Sequence, residues 1–343
     1  MLQKSFLIAV IYLLSAFYLP FVAHAENAKP EVWRFGLEEI EGSVQDIYAQ
    51  EFKKRIEEKT QGRVLVDIYS YGMLGESEDL TTLTSIGTLQ LTHASVGIIG
   101  SLIPQMQVFN IPYLFSANDA HNQSVLSENP AIYTEIGNAL IDQNMRLLTL
   151  YLEGDMVWTT NKAIRRPGDF DDFRMRVMNS PLVVETFQQY GAETIPLPYS
   201  QVYGALQAHI VDGQSNPIFA IEEMKFYEVT DYLIWAGQSK FVTSVIANQP
   251  WYLTLSNENK QLLNDTIKEM SDFIFKQQND LNKSRLKMIQ ETKPDVILIR
   301  LSNHQKNAFR KLAQPIKAQF LQQTGSQGER LLSALEKAFA SKK

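Results

Sequence analysis

The chain has 343 residues, 45% of them hydrophobic and 20% charged, which is ordinary globular composition with enough apolar mass for two domains. A formal net charge of −6 argues against nucleic acid as a partner. Without a single cysteine there is no disulfide framework, no thiol chemistry and no cysteine to carry a lipid anchor.

Taken in order, the chain starts with Lys4 ahead of an apolar run from Phe6 to Val22, closed by Ala23-His24-Ala25. That is the form of a signal peptide, so residues 1–25 are expected to be removed by a cut after Ala25, leaving a protein exported to the periplasm. Ser15 and Pro20 interrupt the run and argue against an uncleaved anchor helix. Next, Val32 to Leu37 reads as a strand. Val44 to Glu58 reads as a helix with Val44, Ile47, Tyr48, Phe52 and Ile56 on one face, and Arg63 to Ser70 as a second strand. This is the opening of a βαβ pattern with a parallel sheet. The acidic loop Glu38-Glu39-Ile40-Glu41 lies at the carboxyl end of its first strand, where ligands sit in open α/β sheets.

The glycine turn Tyr71 to Ser77 lacks the Gly-Lys-Ser/Thr of a phosphate loop and is read as a turn only. A helical stretch to Gly87, a strand from Leu89 to Ala94, a proline-bounded apolar segment from Pro104 to Phe115, one polar helix from Asn118 to Ile141 and a strand from Met145 to Leu152 follow. A further strand carries Arg176, with Ser180 as cap and Pro181 at the first position of the next helix, which Gly191 ends. Ser200 starts another helix, and Asp212 to Pro217 reads as a turn presenting Asn216. Strands are expected at Tyr232 to Ala236 and Phe241 to Ala247. From Ser256 to Glu291 one uninterrupted helical pattern runs to the stop at Pro294, about 54 Å long at 1.5 Å per residue. Such a length exceeds one small lobe, so the helix is expected to brace both. A last strand from Asp295 to Leu301 and two helices flanking Gly325 complete the chain.

The five histidines are scattered, there is no HExxH or GxSxG, and Glu222-Glu223 reads as a solvated helix face. No enzyme, metal or cofactor is expected. Arg176, in Met175-Arg176-Val177, offers a planar fork that fits a carboxylate, and Asn216 adds an amide.

The run SPLVVETF, YGAETIPLPYSQVYGALQ and VDGQSNPIFAIEEMKFYEV resembles the signature region of the DctP-type solute-binding proteins of tripartite ATP-independent periplasmic (TRAP) transporters. WRFGLEEIEGSVQDIYAQEFK, GMLGESEDL, GSLIPQMQVFNIPYL and EGDMVWTTN extend the likeness over the mature chain, in particular to the ectoine-binding members. The resemblance implies two α/β lobes closing on a ligand. The expected division is residues 26–154 with about 243–280 as lobe I, and 155–242 with about 281–343 as lobe II. It also implies delivery to the small and large membrane subunits of a sodium-coupled permease by a protein expected to be a monomer.

Residue by residue, the resemblance makes Arg176 the carboxylate clamp, Asn216 its neighbouring amide, and Glu39 the acceptor for the cationic end of the ligand. Tyr199 and Phe241 match two aromatic wall positions and Phe219 is added to the wall, whereas Ile98 and Ala220 stand where the ectoine binders carry further rings. Met156 replaces a second arginine common in the family, which disfavours a dicarboxylate. The implied ligand is a small zwitterion or carboxylate. A rival use of the same fold is a sensor that presents its closed form to a receptor kinase, because both uses need the same closure. Glu39 could also serve only to cap the helix after it.

Overall fold

In the computed structural model, which describes residues 29–341, the strands gather into two sheets. The expected cut after Ala25 lies outside the described residues. The first sheet has the order β2-β1-β3-β10-β4, with β1 (Glu31–Gly36), β2 (Val64–Tyr69), β3 (Leu91–Ser95), β4 (Met145–Asp155) and β10 (Lys240–Asn248). β1 pairs in parallel with both β2 and β3, as the βαβ pattern demands, and β10 runs antiparallel between β3 and β4. The helix Val44–Thr60 crosses between β1 and β2. Ser43 caps it by accepting from Asp46 N at 3.1 Å, and Val44, Tyr48, Phe52 and Ile56 are buried along one stripe.

The second sheet has the order β11-β9-β5-β8-β6-β7, built from β5 (Val157–Thr160), β6 (Arg174–Val177), β7 (Glu193–Pro196), β8 (Gly213–Asn216), β9 (Tyr232–Trp235) and β11 (Ile297–Arg300). Here the reading of Asp212 to Pro217 as a turn is corrected, because Gly213–Asn216 is an interior strand, antiparallel to β5 and parallel to β6. A polar sequence holds that place because the side chains of Gln214 and Asn216 find partners. The Gln214 amide donates to Thr159 Oγ1 at 2.8 Å and accepts from Asn216 Nδ2 at 2.5 Å. Gly213 is required there: a Cβ would stand 2.8 Å from both the Thr159 carbonyl oxygen and the Phe173 ring.

The expected single helix from Asn118 to Ile141 is also corrected. It ends at Glu128 and resumes as a wide turn over Ile132–Ile136 and a short helix Gly137–Ile141. Pro130 has no N–H to continue the ladder, and Asn129 closes the break by accepting from Ala131 N at 3.0 Å.

The chain passes between the sheets three times, from β4 into β5, from β9 into β10, and from β10 to β11 by way of a long helix. That helix is the 36-residue Asn257–Thr292, capped by Ser256. Its Leu263, Ile267, Met270 and Ile274 enter the core beneath the first sheet with Trp33, Phe35 and Tyr48, while Ile289 packs under the second with Phe226 and Leu233. Asn282 pins the middle of this helix to both sides, donating to Glu153 O at 2.7 Å and accepting from Phe219 N at 3.1 Å. At the C-terminus, Asn303–Leu312 precedes Gln314–Ala340, which breaks at Gly325, where φ is +58°.

Candidate ligand-binding site

Between the two sheets lies a cavity of about 350 Å³, and Arg176, Asn216, Glu39, Tyr199 and Phe241 all line it. Arg176 reaches it from β6. Two residues earlier in the same strand, Arg174 is neutralised by a two-pronged contact with Asp212 at 2.9 Å, but Arg176 has no such acid. Its Nε and Nη2 donate to the Leu197 carbonyl oxygen at 3.0 and 2.5 Å, and among the described residues no carboxylate pairs with it. Burial, only weakly opposed by Tyr199, Tyr71 and Glu78, lowers its pKa to about 10. A desolvated guanidinium answered only by a carbonyl keeps a charge that no protein acid compensates. Asn216, at the end of β8, stands in the same wall.

The opposite wall is acidic. Glu39 follows β1, and its Oε2 accepts from Gln45 N at 3.2 Å, so it caps the first turn of Val44–Thr60 and lines the cavity as well. Burial, followed by the repulsion of Glu153 and a proton shared with it, holds the Glu39 carboxyl well above the usual carboxylate range. Gln45 joins the group from below: its Nε2 donates to Glu153 Oε1 at 3.4 Å, and its Oε1 accepts from Glu38 N at 2.8 Å. Glu38 itself accepts from Ser95 N at 2.7 Å, and burial pushes it up to about 8. Outside the cavity lining, Glu223 is likewise pushed to about 8 by burial, against the pull of Arg285, and Glu222 is buried against Lys225 and Arg285, so the reading of this pair as a solvated helix face is corrected. Burial therefore favours the protonated form of Glu38 and Glu39 in this wall.

Tyr199 closes one side, its hydroxyl donating to Ala220 O at 3.4 Å and its ring edge-on to Tyr71 at 5.9 Å. Phe241 comes from β10 at a point where the register against β4 shifts, opposite Gly154 with φ +143°. Ile98 and Ala220 line the cavity too, as aliphatic wall in place of rings. Phe219 does not line it. Helix Ile218–Glu223 turns Ala220 to the cavity, and Phe219, one position or about 100° away, is fully buried in the core with Tyr151 and Val245.

Among the cavity residues that were not anticipated are Glu38, Glu76 and Met178. Glu38 was visible in the acidic loop. Glu76 belongs to the glycine turn read only as a turn, and it spans the mouth of the cleft, accepting from Tyr71 OH at 2.6 Å and from Ser200 Oγ at 3.1 Å. Of the histidines, His93 is fully buried, stacked on Phe35 and within 2.6 Å of Tyr151 OH, and burial lowers its pKa to about 3, so it is neutral core.

The sequence pattern of bacterial extracellular solute-binding protein, family 7 (DctP), matches residues 35–324. The ectoine/5-hydroxyectoine-binding periplasmic protein UehA of Ruegeria pomeroyi is 36% identical over 93% of this chain and 94% of its own. The periplasmic ectoine-binding protein of the TeaABC TRAP transporter of Halomonas elongata superposes with a TM-score of 0.87 at 37% identity, covering 90% of this chain and 99% of that one. A TRAP periplasmic solute-binding protein from Marinobacter aquaeolei, in an apo open structure, gives 0.84 at 39%, covering 89% and 99%. Nothing in these likenesses favours the sensor reading over transport. A two-lobed fold with a ligand-sized cleft, matched along nearly its whole described length, belongs to the DctP family: the chain is a periplasmic solute-binding protein of the TRAP transporter type.

Proposed function

We propose that the protein captures a small zwitterion and holds it unchanged. The carboxylate goes to Arg176 and Asn216, the cationic end to Glu39, and the body of the molecule lies between Tyr199 and Phe241. The observation that carries this reading is the pairing of opposite walls: one buried arginine without an acid, facing carboxyls without a base. A cation arriving at Glu39 displaces the shared proton, so the acidic wall charges only when its partner is present. The ectoine that the Ruegeria and Halomonas proteins are named for binding is of this class, but Ile98 and Ala220 offer no ring faces to a delocalised cation. The proposal is therefore the zwitterion class, with ectoine as one member.

Because Arg176 belongs to the second sheet and Glu39 follows the first, a bound zwitterion ties the lobes together and favours the closed form. The closed complex is handed, as a monomer, to the small and large membrane subunits of a TRAP permease. The test is a thermal-shift screen of the mature protein against ectoine and other small zwitterions and carboxylates. A ligand at a hundred times its Kd stabilises by about 2.7 kcal/mol. The reading expects the strongest shifts from zwitterions, with the ligand recovered chemically intact. If none of them shifts the transition at millimolar concentration, the proposal fails.

A further inference from the structure

Beside the main cavity lies a second, smaller chamber of about 40 Å³, and Arg176, Met178 and Phe241 line both. Two buried polar atoms of its lining residues, Ser215 Oγ and Gln238 Oε1, have no hydrogen-bond partner among the described residues. The two residues are only 7% and 3% exposed. Ser215 sits on β8 beside Asn216, and Gln238 sits in the segment joining β9 to β10, fixed there by Tyr113 N donating to its carbonyl oxygen at 2.7 Å. A buried acceptor left without a donor is rare and points to a missing one. Water needs roughly 10–15 Å³ of such space, so the chamber has room for a few waters or one small substituent.

We infer that this chamber is a subsite for a hydroxyl group on the carbon next to the ligand carboxylate, read by Ser215 and Gln238. The inference rests on the zwitterion reading, since the carboxylate on Arg176 is what brings that carbon to the chamber. Gln238 Oε1 can only accept, so the substituent must be a donor. An ammonium would have to shed far more hydration than a neutral hydroxyl to enter so small a chamber, and Lys240, which also lines it, already pairs with Asp119 at 2.7 Å and Asp155 at 2.5 Å. The hydroxyl donates to Gln238 Oε1 and accepts from Ser215 Oγ, so a ligand without it leaves both polar atoms unpaired, and a site built around a polar group rejects the analogue that lacks one. An occupant would also touch the second sheet through Ser215 and the crossing segment through Gln238, adding to closure.

The test uses three probes that share their charged ends: 4-aminobutanoate, 4-amino-2-hydroxybutanoate and 2,4-diaminobutanoate. By calorimetry the mature protein is expected to bind the hydroxy compound at least about tenfold more tightly than the other two. Ser215→Ala and Gln238→Leu are each expected to bring the hydroxy compound to within about twofold of 4-aminobutanoate. Equal binding of the hydroxy compound and 4-aminobutanoate by the unaltered protein overturns the subsite and leaves the zwitterion reading standing. So does an advantage that survives in both variants, or a crystal with the hydroxy compound whose chamber holds only water. Binding of none of the three at millimolar concentration overturns the subsite and the zwitterion reading together.

Discussion

The two walls of the cleft use charge in different ways. On the side of the second sheet, Arg176 is a permanent cation: burial lowers its pKa only to about 10, so it is charged at every physiological pH. On the side of the first sheet, Glu39 is held well above the usual carboxylate range by burial and by Glu153, so its charge is conditional. For the proposed zwitterion the difference means that one wall would recognise by being charged already and the other by becoming charged. A permanent charge confers affinity for any carboxylate, whereas a conditional one selects those that also bring a cation.

Four outcomes would break or sharpen that contrast. The largest is expected at the permanent side: removing one partner of a desolvated ion pair costs on the order of 2–5 kcal/mol, so Arg176→Ala should weaken zwitterion binding at least about thirtyfold by calorimetry. Unchanged affinity would remove the carboxylate assignment. Glu39→Gln keeps an acceptor for Gln45 N but cannot ionise. It should cost a zwitterion roughly tenfold, about 1.4 kcal/mol, and leave a plain carboxylate nearly untouched. Equal losses for both ligands would show that Glu39 acts only as a cap.

The third outcome is a pH dependence of opposite sign for binding and for stability. Zwitterion affinity should rise with pH, because the cation needs Glu39 ionised, and a titration in two buffers of different ionisation enthalpy should register proton release. Ligand-free stability should move the other way. Glu38 and Glu223 have folded pKa values near 8 against an ordinary 4.5, so between those limits the folded state binds more protons than the unfolded. Their contribution is complete below about 4.5 and is lost as pH rises through about 8, at up to about 1.4 kcal/mol per pH unit for each group. Denaturation midpoints that climb over this window would contradict the raised values. The smallest effect is expected at the aliphatic wall: Ile98→Phe or Ala220→Phe should improve ectoine binding about two- to fivefold, since an added ring face is worth roughly 0.5–1 kcal/mol. A loss would mean that the cavity has no room for the ring.

Much of this was legible in the residues. The long helix announced itself because nothing interrupts its pattern between Ser256 and Pro294, and Arg176 stood out as a charge inside an apolar strand. β8 was not legible. Its Gly-Gln-Ser-Asn sequence carries no apolar alternation, and what makes it a strand is the mutual bonding of Gln214, Asn216 and Thr159, partners that only the folded sheet brings together. Phe219 and Ala220 show the same limit: both sit on one short helix, and choosing which faces the cavity needs the helix's rotation, fixed by Asn282 from a distant segment. Glu76 was hidden because a glycine turn reveals that the chain reverses, not which side chain it aims across the cleft.

The place of β10 carries a consequence for how the protein is made. This strand lies between β3 and β4 in the first sheet, yet it follows the β5 to β9 strands of the other sheet in the chain. During synthesis the first half of the protein must wait, its sheet split in two, until residue 248 has emerged. A nascent chain that cannot finish either lobe early stays thread-like for longer, and such a chain is well suited to crossing a membrane before it folds.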